Sequence, residues 1–203
     1  MTNHAEELNH LIGLAANRPD FQQQGYLSTE NNFSKLNDPS VNLMFTCSVM
    51  GMEAISHVIE DQAINTRGNW RFYSAFQKFS RMKPQEERYR RLVSQGNPVY
   101  IFGQADYLPF SAANLHQINL DLGDRQANEH LAHNWFVVLY NPSLVSMALV
   151  ARELPANFRP TGAPDKLVYR NFEGFWTYNP DMIGRVVDIL DDFIRRQNGA
   201  VVS

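Results

Sequence analysis

The sequence predicts an α+β fold bordering on α/β: a mixed β-sheet of at least four strands packed with helices, preceded by an N-terminal helical arm. Three observations carry this reading. Two apolar runs, Trp135–Tyr140 and Leu144–Val150, flank the turn signal Asn141-Pro142-Ser143, as paired buried strands do. From Val41 to Phe102 strand-like and helix-like periodicities alternate, which places helices against a sheet. A long amphipathic stretch from Pro180 to Gln197 then closes the chain.

The elements follow in order. Residues 4–17 read as a helix, with Asn3 as cap, Glu6 three positions on, and Leu8, Leu11, Ile12 and Ala15 in one stripe. Residues 20–40 are rich in Gln, Asn and Ser and read as a linker, so 1–40 is expected as an arm. The body is expected over 41–197, with a disordered tail at 198–203. Val41–Val49 alternates Leu43, Phe45 and Cys47 with Met44, Thr46 and Ser48, which is strand periodicity. Met52, Ile55, Val58, Ile59 and Ala63 recur at helical spacing. Residues 69–77 alternate again, Trp70, Phe72 and Ser74 against Arg71, Tyr73 and Ala75. Pro84 and Gly96 bracket a helix with Tyr89, Leu92 and Val93 inward. Val99–Phe102, Leu115–Leu120 and Phe175–Tyr178 are short strand candidates, 123–133 a short helix, and the proline-bearing 154–171 a loop.

Bulk properties narrow the function. A net charge of −3 excludes a general nucleic-acid binder. One cysteine, Cys47, permits neither an intrachain disulfide nor a cysteine-based zinc site, and a reducing, cytoplasmic setting fits. No signal peptide and no apolar run long enough for a membrane span is present, so a soluble chain without membrane insertion is expected.

Residues 67–91 hold eight basic side chains, Arg71, Arg88, Arg90 and Arg91 among them, against Glu86 and Glu87. Such a segment is either a positive face that steers an anionic ligand or acidic partner, or a solvated helix surface with local ion pairs. Arg152-Glu153 ends an apolar run, where a charged pair either lines a cleft or closes the rim. The aromatic set, Trp135 and Phe76 included, reads as an aromatic-rich core. Alternatively it walls a pocket for a flat ligand such as a flavin or tetrapyrrole, with Gln77 as hydrogen-bond partner. His130 and His133 beside Glu129 lack a third placed ligand, so no metal site is assigned. Phosphate-binding glycine loops and a nucleophile elbow are missing, and Cys47 lies in an apolar strand where a thiol is inert. No catalytic residue is assigned. Asp188, Asp191 and Asp192 read as solubilising residues on the outer face of the last helix.

Seven stretches together resemble the DICT domain, a sensory module of bacterial signalling chains. They are Leu43–Thr46 leading into Ser56–Gln62; Trp70-Arg71-Phe72 through Phe76-Gln77; Glu87–Leu92; Val99–Gly103; Trp135–Val138; Leu149–Glu153; and Phe172–Thr177. The likeness runs from about residue 42 to 196. It implies an α+β fold around about four strands and a regulatory or light-response role, and it brings no catalytic residues. The family is usually fused to output domains such as cyclases or kinases. This chain shows none, so it is expected to act through a regulatory or signalling partner, or by forming homo-oligomers. The resulting expectation is a non-enzymatic sensory module that binds a small ligand or partner through Arg71, Gln77, Arg88, Arg90, Arg91, Trp135, Arg152 and Glu153. The alternative is a ligand-free scaffold acting through its N-terminal arm and basic face. No cofactor is specified.

Overall fold

A computed structural model describes residues 3–27, 33–121, 131–155 and 170–200. Eight strands form one mixed sheet, here β1 (Phe21–Leu27), β2 (Asn42–Ser48), β3 (Arg71–Lys78), β4 (Val99–Gln104), β5 (Leu115–Asn119), β6 (Asn134–Tyr140), β7 (Met147–Glu153) and β8 (Asn171–Thr177). Their spatial order is β1-β2-β8-β7-β6-β3-β4-β5. The four central strands from β8 to β3 pair antiparallel, whereas β1/β2 at one edge and β3/β4/β5 at the other are parallel. Among the described residues four helices flank the sheet: α1 (His4–Ala16), α2 (Val49–Asn65), α3 (Glu86–Ser94) and α4 (Pro180–Ala200).

The strand alternation read from the sequence becomes a three-layer body. Leu43, Phe45 and Cys47 of β2 and Phe72 of β3 join Met52, Ile55 and Ile59 of α2 and Tyr89 of α3 in one core. Met44, Tyr73, Phe136 and Phe175 point the other way and pack with Leu8 and Ile12 of α1 and Ile183, Val186 and Leu190 of α4. A sheet apolar on both faces needs a helical layer on each side. That requirement recruits α1 as a structural layer.

Several local expectations change. Residues 20–40 hold β1 and a 3-10 turn at Phe33–Asn37. β1 buries only its end residues Phe21 and Leu27 and is held by parallel pairing to β2, so its Gln-rich middle gave no apolar signal. The second strand of the hairpin begins at Met147, because Leu144 and Val145 sit exposed in the connection after Asn141. The resemblance implied about four strands, and the sheet has eight. The last helix continues to Ala200, and 201–203 lie outside the described residues, as do most of the expected helix at 123–133 and most of the 154–171 loop.

One glycine is fixed by close approach. A Cβ on Gly174 would lie 2.1 Å from the Val150 carbonyl oxygen and 2.5 Å from Ala151 Cα, so β7 and β8 can pair here only without a side chain. Among the described residues no helix is long and apolar enough to cross a membrane.

Candidate functional site

The strand β3 does not end regularly. Its ladder with β4 shifts register between Ala75 and Lys78, and within that bulge Gln77 adopts φ +58°. It is the one non-glycine residue with positive φ among those described. Left-handed backbone is unfavourable for a side chain with a Cβ, so the surrounding packing must impose it. Strict alternation would turn Gln77 toward the α1/α4 face. Instead it lines a cavity on the α2 face together with Ser74 and Phe76, the re-aiming that a bulge provides.

This cavity has a volume of about 50 Å³ and lies between α2, the C-terminal half of β3, the start of β6 and the 3-10 segment Phe79–Gln85. α2 contributes Ser56, His57 and Glu60, β6 contributes Trp135, and the 3-10 segment contributes Arg81 and Gln85. Much of the lining is satisfied. Ser56 Oγ donates to the Met52 carbonyl at 2.7 Å and accepts from Trp135 Nε1 at 3.0 Å. His57 Nε2 lies 3.1 Å from Gln85 Oε1. Tyr89, behind the cavity, donates to Glu60 Oε1 at 3.1 Å, and its oxygen is 2.6 Å from Ser74 Oγ.

Three polar groups are left over. Gln77 is 6% exposed, yet neither its amide oxygen nor its amide nitrogen has a hydrogen-bond partner among the described residues. Glu60 Oε2 likewise lacks one; it sits 3.3 Å from Arg88 Nε, an ion-pair distance without hydrogen-bond alignment. Burial pushes the Glu60 carboxyl up to about 7, against the opposing pull of Arg88 and the Tyr89 hydrogen bond. Arg81 is half-buried, and desolvation, followed by the like charge of Arg170, lowers its pKa. Buried polar groups in folded proteins are overwhelmingly paired, so a cluster of unpaired ones around a cavity makes it the candidate site.

A family model described as the sensory domain in diguanylate cyclases and two-component systems (DICT) matches residues 28–154, more than half of the chain. The chain belongs to the DICT family. The match ends at 154, short of the 196 expected from the sequence, so β8 and α4 lie beyond it. All residues lining the cavity fall inside the matched segment. No curated protein and no solved structure matches the chain.

Of the residues read from the sequence, the DICT domain brings Gln77 and Trp135 to the cavity, with Phe76 of the aromatic set and Arg81 of the basic 67–91 segment. Arg88 stands one step behind, paired with Glu60 and with Asp61. The single basic face, one of the two readings of 67–91, is not formed. Arg71 lies on the opposite side of the sheet, bound to Asp191 of α4 at 2.6 Å, because odd and even positions of β3 face different layers. Arg90 pairs with Glu86 along α3, and Arg91 points outward with no ion pair among the described residues. Arg152 and Glu153 do not pair with each other, since neighbours on a strand diverge. Arg152 Nε donates to Glu173 at 2.7 Å, and Glu153 meets Arg170 at 3.1 Å and His133 at 3.4 Å. The aromatic set divides between the two cores, with Phe72 and Phe172 on one side and Phe102 and Phe136 on the other. Burial raises the Cys47 thiol to about 12, in keeping with an inert cysteine.

Sequence reasoning missed Ser56, Glu60 and Ser74, and it held Arg81 only as one of the eight basic side chains of 67–91. Ser56 and Glu60 are four apart on α2 and fall within or beside the apolar arc of Met52, Ile55, Ile59 and Ala63 at ~100° per residue. Polar residues inside a buried arc were the available signal. Asp191 and Asp192 were also misread as solubilising. Asp191 accepts from Arg71 and Tyr73, and Asp192 lies 2.9 Å from His4 Nε2, so both tie α4 to its neighbours.

Proposed function

We propose that this DICT domain is a non-enzymatic sensory module whose input is a small polar ligand in the Gln77 cavity. Its output is a change at the junction of β3 and the 3-10 segment, read by a regulatory or signalling protein. The observation that carries this reading is the buried, unpartnered Gln77 amide held at positive φ on the cavity wall. A ligand that completes its hydrogen bonds favours the bulged arrangement over a relaxed one, and differential affinity for two arrangements is what a signal requires. The 3-10 segment leads directly into α3, whose outward Arg90 and Arg91 we assign to partner contact. A flavin- or tetrapyrrole-sized input is disfavoured, because about 50 Å³ is far below the ~300 Å³ at which pockets for larger ligands begin. The single buried thiol fits a reducing, cytoplasmic setting.

A thermal-shift screen of small polar fragments against the full chain tests this, run in parallel on Gln77→Met. At least one fragment raises the wild-type melting temperature by a few degrees and leaves the variant unmoved. If no fragment moves the wild type, or the variant responds equally, the cavity is not the input site.

A further inference from the structure

The lining of the cavity narrows the chemistry of what it holds, an inference that rests on the site reading above. Arg81 is the decisive group. It lines the cavity, is half-buried, and makes no hydrogen bond and no ion pair with any described residue. The charges that act on it are Arg170, which opposes it, and Glu153 and Asp106, which do not reach ion-pair distance. A partly desolvated guanidinium without an ion-pair or hydrogen-bond partner among the described residues is costly, and its planar fork of donors fits a carboxylate. In the same lining, the Gln77 amide offers two N–H donors and one acceptor oxygen, none with a partner among the described residues. The donors suit an anion's oxygens, whereas the acceptor asks for an O–H or N–H on the same ligand.

Sign and size set the remaining limits. Glu60 and Glu53 also line the cavity, so a dianion such as phosphate meets repulsion that a monoanion largely avoids. A cationic ligand would face Arg81 directly. About 50 Å³ holds only a few water-sized atoms at ~10–15 Å³ each. We propose that the cavity binds a two- or three-carbon carboxylate carrying a hydroxyl or amino group on its α-carbon. Its carboxylate lies between the Arg81 guanidinium and the Gln77 amide N–H, and its α-donor lies on Gln77 Oε1.

Titration of the ¹⁵N-labelled full chain at pH 7 and constant ionic strength tests this with four probes: sodium glycolate, glycine, sodium acetate and the neutral glycolamide. Glycolate or glycine is expected to give saturable shifts that include the Gln77 side-chain amide. Acetate, which lacks the α-donor, and glycolamide, which lacks the charge, are each expected to bind at least ~5-fold more weakly. Arg81→Gln is expected to weaken glycolate or glycine binding ~10-fold or more. Glycolamide binding as tightly as the acids, or Arg81→Gln leaving their affinity unchanged, overturns the carboxylate assignment while the site stands. No saturable shift with any probe overturns the assignment; the site reading falls only if the wider fragment screen is also silent. Should Arg81→Gln not fold, Arg81→Lys keeps the charge and loses the fork. A loss of ~5-fold or more then supports the assignment, and unchanged affinity overturns it.

Discussion

Among the described residues, the buried polar side chains on the α1/α4 face of the sheet are tied off, whereas on the α2 face several are not. Tyr73 donates to Asp191 at 2.8 Å, His4 meets Asp192 at 2.9 Å, and Asn134 donates to Asn9 at 3.0 Å. Each of these bonds pins a helix to the sheet or to another helix. Across the sheet, Glu60 and Gln77 are as deeply buried but keep atoms without partners. Both faces are otherwise well packed, with Phe136 on one and Phe72 on the other fully buried. Unpaired groups in one core and paired groups in its twin are hard to assign to poor folding, because the same sheet supports both. Trp176 Nε1 on this face also lacks a partner among the described residues, but only Glu60 and Gln77 share a cavity, which makes that cavity the candidate site.

The first way to break this contrast is to truncate each core. Phe136→Ala on the α1/α4 face and Phe72→Ala on the α2 face should each cost about 3–5 kcal/mol in urea unfolding, because both remove a fully buried ring. A cost on the α2 face near zero would mean that this side is loosely packed, and its unpaired groups would then be a packing defect.

The next effect separates the faces by pH. The Glu60 carboxyl has an ordinary value of 4.5 and stands at about 7 in the folded chain, with burial as the leading cause. The folded state therefore holds this proton to higher pH than the unfolded chain does. Stability from this group is fully present below about 4.5 and falls as pH rises through about 7. Arg88, His57 and Tyr89 face the same carboxyl, and Asp61 and Glu53 act on it from α2. Glu60→Gln removes the titration and keeps an acceptor for Tyr89. It should gain on the wild type by on the order of 3 kcal/mol at pH 8 and lose that advantage near pH 4.5. Parallel stability profiles for the two proteins between pH 4.5 and 8 would show that Glu60 is not desolvated.

How far these features were readable from the sequence depends on where each residue's partners lie. β2 and β3 were legible because their neighbours at i and i+2 share a face and both faces are buried, which leaves alternating apolar sets such as Leu43/Phe45 and Met44. β1 was illegible because backbone pairing to β2, rather than side-chain burial, holds its middle residues. Gln77 and Trp135 were found as polar or aromatic neighbours of apolar strands. The bulge was not, since neither glycine nor asparagine marks the positive φ at Gln77. The charges of 67–91 were read either as one positive face or as a solvated helix surface with local ion pairs; β3 places Arg71 on the α4 side of the sheet while α3 keeps Arg88 and Arg90, both ion-paired, on the other.

A smaller effect tests the tied face. Asp191→Ala deprives both Arg71 and the buried Tyr73 hydroxyl of their acceptor, and burial together with that hydrogen bond keeps the phenol firmly protonated. Loss of about 1–2 kcal/mol is expected. Tyr73→Phe in the same background should restore part of it, because no unpaired hydroxyl then remains. Absence of any recovery would show that Tyr73 was not held through Asp191.

The smallest effect concerns the outward surface of α3. Arg90 pairs with Glu86 one turn earlier and lies 4.3 Å over the Phe110 ring, but its side chain is 49% exposed. Exposed i,i+4 pairs contribute ~0.3–0.5 kcal/mol, and a solvent-exposed cation over a ring ~0.5 kcal/mol at the lower end of its range. Arg90→Ala should therefore change stability by less than about 1 kcal/mol, and less still in high salt, where screening removes the pair. Such a small cost would set Arg90 apart from the Arg71–Asp191 tie and leave it free for partner recognition. A loss equal to that of Asp191→Ala would instead make α3's charges structural and overturn the proposed assignment of Arg90 to partner contact.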